Sequence, residues 1–194
     1  EYAAIAAATQ IGRGDEHAAD QAAVTAMRDA LNQLPFDGTI VIGEGERDEA
    51  PMLFIGEKVG RAQGTGPKID IALDPLEGTT ITAKAGPNAL AVLAAAEAGN
   101  LLNAPDVYMD KIAVGPGYPA GVINLAKSVT ENINAVAKAK GVAPRDIIAC
   151  VLDRPRHEAL IKELRAIGCG IVLIPDGDVA GVIATTNPDT STDI

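Results

Sequence analysis

Aromatic residues and cysteine are scarce in this chain of 194 residues. It contains no Trp, and only 3% of its residues are aromatic, whereas 47% are hydrophobic. We therefore expect a sizeable core built from aliphatic side chains and alanine. The two cysteines, Cys150 and Cys169, lie in apolar stretches, which indicates reduced core thiols of a cytoplasmic protein rather than a disulfide.

Long apolar runs and an excess of basic charge are also missing. No run approaches the length of a transmembrane helix, and no signal peptide is visible, so we expect no membrane association. Asp and Glu number 26 against 16 Lys and Arg, and the net charge of −10 argues against nucleic acid as a partner. A phosphorylated substrate stays possible, because a bound cation reverses the local charge of a site.

Hydrophobic periodicity predicts alternating helices and strands along the chain. We predict helices over residues 2–11, 17–34, 128–140 and 157–167, another helix from Val179, and strands over 39–42, 69–74, 90–96, 112–114, 146–152 and 170–174. The strand over 90–96 is expected in the centre of its sheet. The fold class is thus α/β and α+β, since only the last third has the regular rhythm of a parallel α/β unit.

We divide the chain into an N-terminal α+β domain over residues 1–140 and the start of an α/β domain over 141–194. Glu1 opens inside a predicted helix without a Met, and the last residues stop without a closing element. We therefore expect a piece of a longer protein, with the second domain incomplete.

The stretch over residues 69–80 carries the clearest sign of chemistry. Residues 69–74 alternate apolar and polar side chains, so we predict a strand that Pro75 ends, with Thr79 and Thr80 capping the helix that follows. The strand end brings Asp74, Glu77 and Thr79 to one rim. Hard carboxylate oxygens suit Mg²⁺ or Mn²⁺, and a hydroxyl beside such a cation can position a water or relay its proton.

Other acids stand at predicted element ends. Asp20 lies in the first turns of a helix, where it is either a site residue or a solvated acid that complements the helix dipole. Glu44 and Asp48 belong to a glycine-rich acidic stretch after the strand over 39–42, which is typical of a strand-end site or of a charged surface hairpin. Asp176 and Asp178 follow the last predicted strand.

The sequence Arg154-Pro155-Arg156 comes just after a strand end, where ligands bind in α/β units. Two guanidinium groups held apart by a rigid proline suit a phosphate group. The alternative is an exposed arginine pair in the first turn of a helix.

Several sequence blocks occur in the same order as in the bacterial class II fructose-1,6-bisphosphatases, and the chain resembles that family over nearly its whole length. The blocks are Gly12-Arg13-Gly14-Asp15, Ala19-Asp20, residues 41–46, residues 48–53, Asp74-Pro75-Leu76-Glu77-Gly78-Thr79, residues 104–109, residues 154–157 and residues 175–180. The resemblance implies a lithium-sensitive, metal-dependent sugar phosphatase with a layered αβαβα sandwich of two domains.

The resemblance also implies roles for individual residues. Mn²⁺ or Mg²⁺ would be held by the acids of the N-terminal domain, Asp20, Glu44, Asp74 and Glu77. Thr79 and Asp48 would be catalytic and manage the proton of the attacking water. The sugar bisphosphate would be bound by Glu77, Gly78, Thr79, Tyr108, Arg154, Arg156, Asp176 and Asp178.

The leading hypothesis is a cytoplasmic, homo-oligomeric phosphohydrolase that converts fructose 1,6-bisphosphate to fructose 6-phosphate in gluconeogenesis. The alternatives are activity on sedoheptulose 1,7-bisphosphate, alone or in addition, or on an inositol phosphate, and a metal- and sugar-phosphate-binding protein without catalysis. The last rests on Glu16, which stands where the family usually has Lys after Gly-Arg-Gly-Asp. The two histidines, His17 and His157, are expected to be non-catalytic.

Overall fold

A computed structural model describes residues 1–44, 52–102 and 107–194. The chain forms two compact units, Glu1–Asp106 and Val107–Ile194. This division lies earlier than the domain boundary expected after residue 140. Among the described residues, no helix is long and apolar enough to cross a membrane.

The first unit packs helices against a four-stranded sheet. Its elements are α1 (Tyr2–Ala8), α2 (Glu16–Leu31), β1 (Asp37–Ile42), β2 (Lys58–Val59), β3 (Lys68–Glu77), α3 (Thr79–Ala83) and β4 (Leu90–Glu97). The strand order is β2-β1-β3-β4. The central strands β1 and β3 run parallel, and the outer pairs are antiparallel.

Helix α2 begins at a cap and buries one apolar stripe. The Asp15 carboxylate accepts a hydrogen bond from the Ala18 amide at 2.9 Å, which satisfies a free N–H of the first turn. The buried stripe recurs at helical spacing and comprises Ala19, Ala23, Val24, Met27 and Leu31. It packs in one cluster with Ile40, Leu53, Val59 and Ile71, so the aliphatic, alanine-rich core is confirmed.

The prediction that Pro75 ends its strand was wrong. Strand β3 continues to Glu77, and its pairing with β4 shifts register between Asp74 and Glu77, around the proline. The last residue of β3 that pairs with β1 is Ala72, so Pro75 has a neighbouring strand on one side only. A bulge there tolerates the missing N–H of proline, as at the edge of a sheet.

Two further local predictions for this unit were wrong. Thr79 and Thr80 lie inside α3 and do not cap it, because the cap residue is Gly78 in a left-handed conformation, φ 103°. The strand predicted as central is β4, which lies at the edge of the sheet that the described residues form. Strand β4 pairs with β3 alone, and one of its apolar side chains, Leu93, is exposed.

The second unit has the predicted alternation of strands and helices. Its elements are α4 (Val129–Lys140), β5 (Ile148–Leu152), α5 (Glu158–Ile167), β6 (Gly170–Ile174) and α6 (Asp178–Ala184), with 3₁₀ turns at Pro144–Asp146 and Pro155–His157. Strands β5 and β6 pair in parallel, from Ile148 opposite Gly170 to Leu152 opposite Ile174. The predicted parallel α/β unit is therefore confirmed.

Helix α4 has both ends that the sequence predicts. The Ser128 side chain and Glu131 form a reciprocal capping box, and Gly141 ends the helix with φ 77°. The buried face of the helix, with Ile133 and Val136, packs against Ile147 in the core of the second unit. This packing explains why the units divide before the helix rather than after it.

The strand predicted over residues 112–114 is not formed. These residues have no regular structure, and Val114 instead packs partly buried against the core of the second unit. The cysteines are free as predicted, Cys169 buried and Cys150 half-buried. Burial raises the pKa of both thiols, which keeps them protonated and unreactive at neutral pH.

Candidate active site

Acidic side chains of the first unit meet near the ends of its two parallel strands. Glu44 follows the last residue of β1 by two positions, and Asp74 and Glu77 are among the last four residues of β3. Parallel strands end at the same edge of a sheet, so these acids are brought to one side of it. Asp20, half-buried on α2, is close enough to act electrostatically on Glu44.

The crowding of these carboxylates changes their acidity. Burial and the charges of Asp20 and Asp74, with a hydrogen bond to Asp74, raise the pKa of Glu44 to about 8. Burial also raises the pKa of Asp20, an effect that the nearby His17 partly opposes. Each charge is therefore costly in this environment, because water is excluded and the neighbours have the same sign.

The acids have the chemistry that a hard divalent cation requires. Oδ1 of Asp20 and Oε2 of Glu44 are buried and have no hydrogen-bond partner among the residues that the structure describes. Buried polar atoms are normally hydrogen-bonded, so these oxygens are open for a ligand. The type of these side chains fits Mg²⁺ or Mn²⁺, which prefer carboxylate oxygens. Among the described residues, no three acid, His or Cys side chains are close enough together to hold an ion in this structure.

Thr79 and Gly78 stand directly beside these acids in the chain. Asp74 accepts a hydrogen bond from the Leu76 amide at 3.1 Å, within the last four residues of β3. Gly78 is buried at φ 103°, and a Cβ there would lie 3.3 Å from the Ala89 Cα, so this turn favours glycine. Thr79 then opens α3, half-buried, and Asp48 lies outside the described residues.

In the second unit, the predicted substrate-binding residues follow the two parallel strands. Arg154 and Arg156 lie in and beside the 3₁₀ turn after β5, and Asp176 and Asp178 come after β6. The Asp153 amide bonds to the Ile174 carbonyl at 2.8 Å, so the two strand ends are joined. These turns therefore lie at one edge of the sheet, where α/β units bind ligands.

Two contacts organise this edge. The guanidinium carbon of Arg156 lies 4.3 Å from the centroid of the Tyr108 ring, a cation–π contact. The Asp178 Oδ2 is 2.9 Å from the ammonium nitrogen of Lys111. The structure thus brings Tyr108 and Arg156 together, whereas the Arg154 guanidinium has a 3.3 Å contact with the Asp153 carbonyl.

Sequence reasoning missed Lys111 and the Arg28–Glu57 pair. Arg28 on α2 binds Glu57 at 2.7 Å and also donates to the Met52 carbonyl, while the Leu53 carbonyl accepts from the Glu44 amide at 3.0 Å. None of these three residues belongs to a recognisable spacing pattern. The one available signal was the position of Lys111 three residues after Tyr108.

Comparison with known proteins shows the family of the chain. The family model described as bacterial fructose-1,6-bisphosphatase, glpX-encoded, matches residues 1–194. A "Fructose-1,6-bisphosphatase 1 class 2" of Escherichia coli is 52% identical over 194 residues, which is 100% of this chain and 57% of that protein. A "D-fructose 1,6-bisphosphatase class 2/sedoheptulose 1,7-bisphosphatase" of a Synechococcus species is 52% identical over 184 residues, 95% of this chain and 54% of that protein.

The chain thus spans a little over half the length of these curated relatives. The family match nevertheless extends over every residue of it, including both sets of strand-end residues. This chain belongs to the family of bacterial, glpX-encoded fructose-1,6-bisphosphatases.

Proposed function

We propose that the complete protein is a metal-dependent phosphohydrolase that converts fructose 1,6-bisphosphate to fructose 6-phosphate and phosphate in gluconeogenesis. One observation supports it above the others. In the unit that contains Thr79, buried carboxylate oxygens of Asp20 and Glu44 have no hydrogen-bond partner among the described residues. The family and the names of the relatives support the substrate.

Asp20, Glu44, Asp74 and Glu77 would hold Mn²⁺ or Mg²⁺ through their carboxylate oxygens. When bound, the cation would supply charge for the phosphate oxygens and acidity for a water molecule. Thr79 and Asp48 would orient that water and take up its proton. As the water oxygen bonds to phosphorus, the ester bond to the 1-oxygen of the sugar breaks, and this oxygen receives a proton.

Residues of the second unit are the other proposed substrate contacts. Arg154 and Arg156 carry the charges that suit the phosphate that is not cleaved, and Tyr108 holds the plane of Arg156 by stacking. Asp176 and Asp178 would accept hydrogen bonds from the sugar hydroxyls. In the first unit, the proposed substrate contacts are Glu77, Gly78 and Thr79.

The remaining properties of the complete protein are part of the same proposal. It would be a cytoplasmic homo-oligomer. Its fold would be a layered αβαβα sandwich of two domains, and the mixed helix and sheet content of both units supports this fold. Activity on sedoheptulose 1,7-bisphosphate is a second candidate, because the Synechococcus relative has both activities in its name.

The deciding experiment measures phosphate release by the complete protein with and without Mn²⁺. Fructose 1,6-bisphosphate, sedoheptulose 1,7-bisphosphate and inositol monophosphate are compared. We expect release from the fructose bisphosphate only when the metal is present, and the sedoheptulose result defines the range of substrates. Mn²⁺ binding without release from any of them would contradict the enzyme and favour a binding protein, in which case Glu16→Lys is the first variant to assay.

A further inference from the structure

We propose that Lys111 is a positioning residue for sugar-phosphate binding, and that it acts by holding the Asp178 carboxylate; this inference rests on the proposed function. The ammonium nitrogen of Lys111 lies 2.9 Å from the Asp178 Oδ2. Asp178 opens α6, four residues after the end of β6, and is one of the residues expected to accept sugar hydroxyls.

The segment over residues 107–111 reaches both turns that follow the parallel strands. Its Tyr108 stacks on Arg156, in the turn after β5, and its Lys111 pairs with Asp178, after β6. The segment has no regular secondary structure and exposes its side chains, Tyr108 by 87%. These two side-chain contacts therefore connect the segment with the two turns. Of the four residues involved, only Lys111 has no role assigned above.

The positive charge of Lys111 affects the electrostatics of the proposed binding site. A sugar phosphate that approaches the turns after β5 and β6 would be repelled by the negative charge of the Asp178 carboxylate. An ammonium group at hydrogen-bond distance offsets that charge and restricts the orientation of the Asp178 carboxylate. Because Lys111 is 65% and Asp178 42% exposed, solvent screens the pair, and the expected effect is moderate.

The test compares Lys111→Met, Lys111→Arg and the control Lys138→Met in the complete, metal-loaded protein. Lys138 is also exposed and lies in the last turn of α4. We expect Lys111→Met to raise KM for fructose 1,6-bisphosphate about threefold to fivefold with little change in kcat, because the interaction acts on binding. Lys111→Arg should restore most of the affinity, and the control should match the parent protein.

Two measurements separate positioning from a structural effect. The KM difference between Lys111→Met and the parent should shrink between about 0.1 M and about 1 M salt, as the screening length falls from about 10 Å to about 3 Å. In addition, Lys111→Met should have little further effect in an Asp178→Asn background. Full additivity of the two substitutions, or a drop in melting temperature that accounts for the KM change, would overturn the proposal.

The binding of fructose 6-phosphate distinguishes this proposal from the proposed function. If the parent protein releases no phosphate but binds fructose 6-phosphate in calorimetry, and Lys111→Met weakens that binding by the same factor, the positioning role stands while the reaction does not. Equal KM and equal binding of the parent and Lys111→Met would remove the role of Lys111 and leave the phosphatase intact. Absence of both release and binding would contradict both proposals.

Discussion

Glu44 of the first unit is partly buried and Asp193 of the second is buried, and the two carboxylates have opposite electrostatic surroundings. Asp193, 8% exposed, is 2.5 Å from the ammonium group of Lys140 and accepts from the Ile148 amide at 3.0 Å. Glu44 instead faces the carboxylates of Asp20 and Asp74, and its Oε2 has no hydrogen-bond partner in the described chain. Lys140 compensates the charge of Asp193, whereas the neighbouring acids raise the pKa of Glu44 and its Oε2 has no partner among the described residues.

The largest expected effect concerns the hydroxyl of Thr79, two residues after the end of β3. Thr79→Ala should lower phosphate release about 10²- to 10⁴-fold, because the water loses a group that orients it and relays its proton. Thr79 lies in the first turn of a short helix that it does not cap, so the melting temperature should change little. Thr80→Ala, its neighbour in α3, is the matched control, and comparable activity of the two variants would contradict the role of Thr79.

The next expected effect tests whether the Glu44 cluster binds a cation. Glu44→Gln should weaken Mn²⁺ binding at least about a hundredfold, since the carboxylate would be a direct ligand and even supporting residues of metal sites contribute tenfold to a hundredfold. The stability of the metal-free protein should not fall, because the raised pKa leaves Glu44 mostly protonated at neutral pH and glutamine is a neutral side chain of the same size. Calorimetric Mn²⁺ titration and thermal unfolding in chelator measure the two quantities. Unchanged Mn²⁺ affinity would exclude Glu44 as a ligand.

The opposite result is expected for the compensated acid. Asp193→Ala should lower the free energy of unfolding by about 2 kcal/mol, because it removes charge-assisted hydrogen bonds to Lys140 and to the Ile148 amide. Mn²⁺ affinity should be unchanged. Denaturant unfolding of the complete protein checks the first expectation, and Asp189→Ala, at an exposed acid of the same segment, serves as the control. Equal stability of the two variants would show that the pair is not structural.

The smallest effect is a loss of stability at alkaline pH that originates from the same compensated cluster. The hydrogen bond to Asp193 raises the pKa of Lys140, and burial together with the Asp193 charge raises the pKa of Tyr118. Both groups bind their proton more tightly in the folded than in the unfolded protein. Their contribution is therefore complete below the unfolded pKa values of about 10 and is lost as the pH rises through the folded ones.

Lys140→Met should accordingly lower the stability most at pH 7 to 9, where the contribution of Lys140 is complete, and should flatten the decline of stability above about pH 10. Unfolding curves at a series of pH values measure the slope. The same slope in the variant and the parent would show that the Lys140–Asp193 pair does not contribute to it.

The sequence predicted most where the structure depends on neighbouring residues. The capping box at Ser128, the stop at Gly141 and the strand Gly170–Ile174 follow from short-range patterns and are confirmed. The failures depend on distant partners. Whether Pro75 interrupts β3 depends on where β1 stops beside it, and whether residues 112–114 form a strand depends on a neighbour that they do not have among the described residues.

The candidate site divides along the same line. Residue type and order alone selected Asp74, Glu77 and Thr79, because hard ligands and a hydroxyl at a strand end are a local signal. The role expected for Asp20 and Glu44 came from the family resemblance. Only the tertiary structure showed that neighbouring acids and burial raise the pKa of Glu44, that Arg156 contacts the Tyr108 ring and that Lys111 pairs with Asp178. The reason is physical: acidity and ion pairing depend on distance and exclusion of water, and these arise when segments far apart in the chain pack together.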